Sequence, residues 1–159
     1  MCLLQTIQKN TLHLQPRVAT RPIKVLKIGY FSNVTNCFVS SLYPKHYERD
    51  IQYKQLLPQP YVGEVKNHPN LQNAYIEVGF HSYRYLPEHY QYRMDILGWL
   101  SDNSGQIMVD VIAVFEIPKG AIYYTDNDNH YVSDSIIFRK ALFNPKEWEE
   151  ENFQPEKVL

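Results

Sequence analysis

The sequence predicts a single α+β domain: a mainly antiparallel sheet with few helices. Three observations carry that expectation. Segments rich in β-branched and aromatic residues recur along the chain, separated by Gly, Asn, Asp and Pro clusters. Only one stretch, residues 87 to 100, spaces its apolar residues at helical intervals. The length of 159 residues suits one domain, which at this size buries roughly 70% of the surface its unfolded chain exposes.

Residues 1 to 22 mix short apolar pieces with Pro16, Arg17, Arg21 and Pro22, the pattern of a short strand and an extended lead-in. "IKVLKIGYF", from Ile23 to Phe31, alternates apolar residues with Lys24, Lys27 and Gly29 and predicts a strand with one buried face. "NCFVSSLY", from Asn36 to Tyr43, offers another strand or the start of a long excursion. Residues 44 to 69 hold Pro58, Pro60 and Pro69 among many polar residues, which predicts mostly loop with one short strand at "YVGEV".

"AYIEVGFHSY" predicts a strand, with Gly79 marking a bulge or a close approach of backbone. Pro87 and Glu88 suit the first turn of a helix, and Tyr90, Met94, Leu97 and Leu100 then follow at helical spacing. That helix is expected to lay Met94 and Leu97 on the sheet. "QIMVDVIAVFEIP" is a long apolar run and predicts the most buried strand. After it, Gly120 turns the chain, "AIYY" extends, "DNDN" turns again and "DSIIFRKAL" returns. The domain is expected over residues 1 to 143, with 144 to 159 an acidic tail, a short helix or a disordered end.

Composition narrows the function classes. The chain is 44% hydrophobic and 21% charged, as in ordinary globular proteins rather than disordered ones. A net charge of -1 provides no global field to draw in nucleic acid. No apolar run approaches the length of a membrane span. Two cysteines, Cys2 and Cys37, make no disulfide framework, and "MCLL" is too short for a secretory signal, so a cytoplasmic setting is expected. The thirteen tyrosines suit half-buried strands, or a groove that stacks and hydrogen-bonds a ligand.

No histidine or cysteine pair stands at a usual metal-ligand spacing, and no P-loop, GxGxxG or GxSxG occurs, so neither metal nor cofactor is expected. Loss of the initiator Met would give Cys2 a free amine, as in N-terminal nucleophile enzymes. No activating partner can be named, and a small buried cysteine is the reading adopted. "GFHSY" draws the eye because it sits at a strand-to-helix corner. With Phe80 in the core, the period of two turns His81 and Tyr83 the other way, toward a groove expected to include Lys27, Tyr43 and Ser133.

"MCL", "GFHSY", "IPKGAIYY" and "YVSDSII" resemble a family of small uncharacterised proteins of bacteriophages and bacterial genomes, best over residues 75 to 140. The resemblance implies a mobile-element protein working in the cytoplasm of a bacterial cell. A weaker likeness is to the ADP-ribosyltransferase fold: Lys27 in "VLKIG", Ser82 in "GFHSY" and Asp134 after "EIPKG" fall in comparable order. Lys27 stands where that family has Arg or His, and Asp134 where it has Glu, so the likeness implies a nucleotide-shaped cleft more than transfer chemistry. In such a cleft Lys27 and Lys119 would meet phosphates, Tyr43 and Tyr83 would stack a ring, and Ser82, Ser133 and Asp134 would bond ribose hydroxyls beside His81. The leading expectation is a binding protein that captures a nucleotide-like small molecule, such as an immune signal, or a host protein. A divergent ADP-ribosyltransferase acting on NAD and a protein-interaction module without a small ligand are the alternatives.

Overall fold

The computed structural model describes residues 3–8, 15–32, 35–40, 45–57, 59–65, 68–76, 78–84, 108–126, 129–143 and 146–147. Strands, numbered in chain order, dominate them, and the helical assignment among them is confined to residues 146–147. The helix expected over 87–100, with Met94 and Leu97, lies outside the described residues, as does nearly all of the tail from 144. No helix among the described residues is long and apolar enough to cross a membrane.

Among the described residues two antiparallel sheets form. In the smaller, β1 (Leu3–Gln8) and β7 (Tyr61–Val65) flank β8 (His68–Ile76). The larger runs β2 (Arg17–Val18), β11 (Ile122–Asp126), β12 (His130–Ser133), β9 (Phe80–Tyr83), β3 (Ile23–Ser32), β10 (Met108–Ile117), β13 (Ser135–Leu142) and β6 (Gln52–Lys54), with β4 (Cys37–Ser40) and β5 (His46–Tyr47) attached beside β3.

The long apolar run does make the most buried strand. β10 pairs with β3 from Met108↔Ser32 to Ile117↔Ile23 and with β13 on its other edge. Residues Val111 to Phe115 are all buried, so both faces of β10 are covered. Val111, Ala113, Phe115 and Ile117 join the main core, while Ile112 and Val114 pack with Leu26 and Leu142 on the opposite face. β3 was expected to bury one face; Leu26 adds a second, because it pairs with Val114 across the strands.

Pairing also closes on itself. β3 pairs with β4, β4 pairs with β5, and the chain leaving β5 reaches β13, where Asp50 N donates to Phe138 O at 2.8 Å and β6 pairs with Ser135–Ile137. β13 returns to β10 and β10 to β3. Inside this circuit Phe38 packs edge-on against Phe115 at 5.1 Å, and Tyr47 does the same at 5.2 Å. Phe138 lies 5.4 Å from Phe115. Edge-to-face contacts of this kind add to the stabilisation from apolar burial. Gly29 has no side chain for a steric reason: a Cβ there would strike the Val39 carbonyl and come within 2.6 Å of the Phe38 ring.

The segment read as mostly loop, residues 44 to 69, does carry the expected strand at "YVGEV", which is β7, and holds further short strands besides it. β5, β6 and the start of β8 fall within it and were not expected. Pro69 is accommodated because it follows the point where the β7–β8 register shifts, between Glu64 and Val65, and a proline in a sheet is found at such irregularities. "AYIEVGFHSY", read as one strand, is divided: Tyr75 and Ile76 end β8 in the small sheet, and Phe80 begins β9 in the large one. Gly79, with φ of 146°, makes the change of sheet, and a Cβ on it would come within 2.7 Å of Leu57. This is the close approach expected at that glycine.

Candidate functional site

β9 and β12 set the faces. Ser133 pairs with Phe80, Val132 with His81, Tyr131 with Ser82 and His130 with Tyr83. Paired residues share a face, so Phe80, Ser82, Tyr131 and Ser133 point to the core, and His81, Tyr83, His130 and Val132 point away. Phe80 is buried, and His81 and Tyr83 are half-buried.

The away face carries a histidine pair. His81 Nδ1 and His130 Nε2 are 3.1 Å apart, and the Tyr83 ring stacks on His130 at 4.8 Å with an interplanar angle of 26°. The contact needs one N–H and one lone pair, so the two rings hold at most one positive charge while it lasts. Burial, and secondarily His81, push His130 down to about 3. Asp126 Oδ1 accepts the His130 backbone N–H at 2.9 Å and fixes the turn that presents it. Beyond Val132 the same face is apolar, with Ile76, Tyr124 and Leu57 packed together, and β1 lies against β11 and β12.

A groove uniting His81 and Tyr83 with Lys27 and Ser133 is not formed. Lys27 pairs with Ala113 on the core face, and its Nζ lies 5.8 Å from the centre of the Phe115 ring. Ser133 shares the face of Phe80, and its Oγ donates to Ser135 O at 2.9 Å. The sheet itself separates the two sets. Ser82 is fully buried, and Tyr43 lies outside the described residues.

Lys119 and Asp134 come together elsewhere, on an open cavity of about 660 Å³ between the end of β6, the β10–β11 turn and the β12–β13 bend. Backbone bonds build its floor: Gln55 N donates to Asp134 O at 2.9 Å, and Asp134 N donates to Ile122 O at 2.9 Å. Asp134 Oδ1 accepts from Ile122 N at 3.0 Å. One carboxylate oxygen therefore holds β11 against the bend. Lys54, Gln52, Gln55 and Gln59 enter from the chain around β6, and Leu57 and Ile122 supply an apolar wall. Lys54 and Lys119 are exposed, and neither makes an ion pair among the described residues.

Lys54 and the three glutamines were not anticipated, since they fell in the segment read as loop. Alternation in "IQYKQ" was the available signal. His130 and Asp126 were also missed, being folded into a turn cluster. Among the described residues, no group of three or more His, Cys, Asp or Glu side chains is arranged to hold a metal ion. Compared with protein-family models, curated proteins and solved structures, the chain matches none.

Proposed function

We propose that the protein is a binding protein that captures a small anionic, nucleotide-like molecule in the cavity bounded by Lys54, Lys119 and Asp134. One observation carries the reading: Lys54, Lys119, Gln52, Gln55 and Gln59 all line one concave space of about 660 Å³, within the roughly 300–1,000 Å³ typical of ligand pockets. Lys54 and Lys119 meet phosphate oxygens, the Gln52, Gln55 and Gln59 amides bond ribose or base edges, and Leu57 with Ile122 receives an apolar ring face. Asp134 leaves the site a net positive charge of one when set against the two lysines. Its engagement with Ile122 N gives it a supporting role, so the reading asks for capture and not for transfer chemistry. A nucleotide signal in a bacterial cell, the setting implied by the mobile-element resemblance, is one molecule of this chemistry.

The test is a thermal-shift and calorimetric screen of the full chain against NAD, ADP-ribose and cyclic nucleotides. A ligand at a hundredfold excess over its Kd adds about 2.7 kcal/mol to stability. The Lys54→Gln/Lys119→Gln pair should weaken binding about tenfold or more, since each hydrogen bond to a charged group is worth ~1.5–3 kcal/mol. Failure of every nucleotide to bind, or equal binding by the double variant, contradicts the reading. Silence with nucleotides but association with a bacterial protein would turn it toward the interaction-module alternative.

A further inference from the structure

β3 and β9 touch at one residue pair, Leu26↔Tyr83, and then part. One step along that antiparallel register sets Lys27 beside Ser82, both on the core face. Across the gap Lys27 Nζ donates to the His81 carbonyl at 2.5 Å. That bond uses one of three ammonium hydrogens. The ammonium also lies over the Phe115 ring face, and no carboxylate pairs with it among the described residues. Burial draws its affinity for a proton down to about 8, which leaves it charged at neutral pH. Ser82 is fully buried, and its Oγ has no hydrogen-bond partner.

A half-buried ammonium is favoured by a counter-charge, and a buried hydroxyl ordinarily has a partner. Both are missing at the same place. Water would satisfy the hydroxyl but would not neutralise the ammonium. A nearby ring lowers the cost of the charge and does not remove it. We infer that the split between β3 and β9 is a binding site for one small anion, a carboxylate or phosphate oxygen held between Lys27 Nζ and Ser82 Oγ. This site lies on the core side of the sheet and is separate from the cavity of Lys54 and Lys119.

The experiment measures the unfolding midpoint of the full chain against inorganic phosphate and, separately, acetate, at constant ionic strength made up with chloride. Wild type should rise with at least one of the two, and Lys27→Met should lose the part of that rise that Lys54→Gln/Lys119→Gln retains. Ser82→Ala should need about three- to tenfold more anion for the same rise, the worth of one hydrogen bond. Lys54→Gln/Lys119→Gln should still respond, and adding Lys27→Met to it should abolish the rise, which separates this site from the cavity. An unresponsive wild type overturns the inference, as does a Lys27→Met protein that responds in full. Should Lys27→Met not fold, Ser82→Ala decides: an unaltered dose dependence overturns the site.

Discussion

The two halves of the core face differ in kind. Around β10 and β13 the face is aromatic and closed: Phe38, Tyr47, Phe115 and Phe138 interlock inside the pairing circuit, and Phe38, Phe115 and Phe138 have no exposed surface. Around β9, β12 and β11 the same face carries Ser82, Ser133, Tyr131 and Thr125, with Lys27 at its border. Ser82 Oγ and Thr125 Oγ1 are buried there without partners. A fold this rich in apolar residues had the means to fill both halves alike. That it did so in one shows where stability is concentrated, and the polar half with the cavity at its rim is where binding is to be sought.

The largest effect should come from the aromatic half. Phe115→Ala removes a ring that touches Phe38, Tyr47 and Phe138, and should cost about 3–5 kcal/mol in denaturant unfolding. A cost under about 0.5 kcal/mol, the range of ordinary surface changes, would break the contrast between the halves.

An intermediate effect belongs to the histidine pair. The unfolded chain takes up a proton at His130 near 6.5, whereas the folded protein does so near 3. Between those values the unfolded state binds more protons. The stability that is complete above about 6.5 is therefore lost as pH falls, at up to about 1.4 kcal/mol per pH unit. His130→Phe keeps a ring for Tyr83 to stack on and removes the titration. Its stability profile should be shallower than wild type between pH 6.5 and 3; parallel profiles would show that His130 is protonated in the folded state too.

The smallest effect is expected at Thr125. Its hydroxyl is buried and without a partner, so Thr125→Val should alter stability by less than about 0.5 kcal/mol or raise it. A loss of about 1.5 kcal/mol or more would mean that the hydroxyl is satisfied in solution, and the two halves would then differ less than described.

How far this contrast was legible in the sequence depended on pattern strength. β3, β10, β11 and β13 follow from sustained β-branched runs between turn residues, and every described tyrosine lies on a strand, as the tyrosine excess suggested. β5 and β6 were hidden because two- and three-residue strands carry too few residues to show a period. The earlier part of β8 was hidden by Pro69, which sits at a register shift. Phe80 inward and His81 outward followed from alternation alone. Lys27 and Ser133 were assigned to the wrong side because the face of one strand relative to another is set by register, which only the pairing reveals. The histidine pair joins residues 81 and 130 across two strands, and the cavity joins residues from β6, β11 and the β12–β13 bend. Neither has a local sequence mark.

The central claim, that ligand enters the cavity and not the face of His81, is tested most directly by NMR chemical-shift mapping of the full chain titrated with ADP-ribose. The account predicts that the largest amide shifts fall at Lys54, Gln55, Lys119, Ile122 and Asp134, with His81, Tyr83 and His130 nearly unmoved. Largest shifts at His81, Tyr83 and His130, or none anywhere at millimolar ligand, would contradict it.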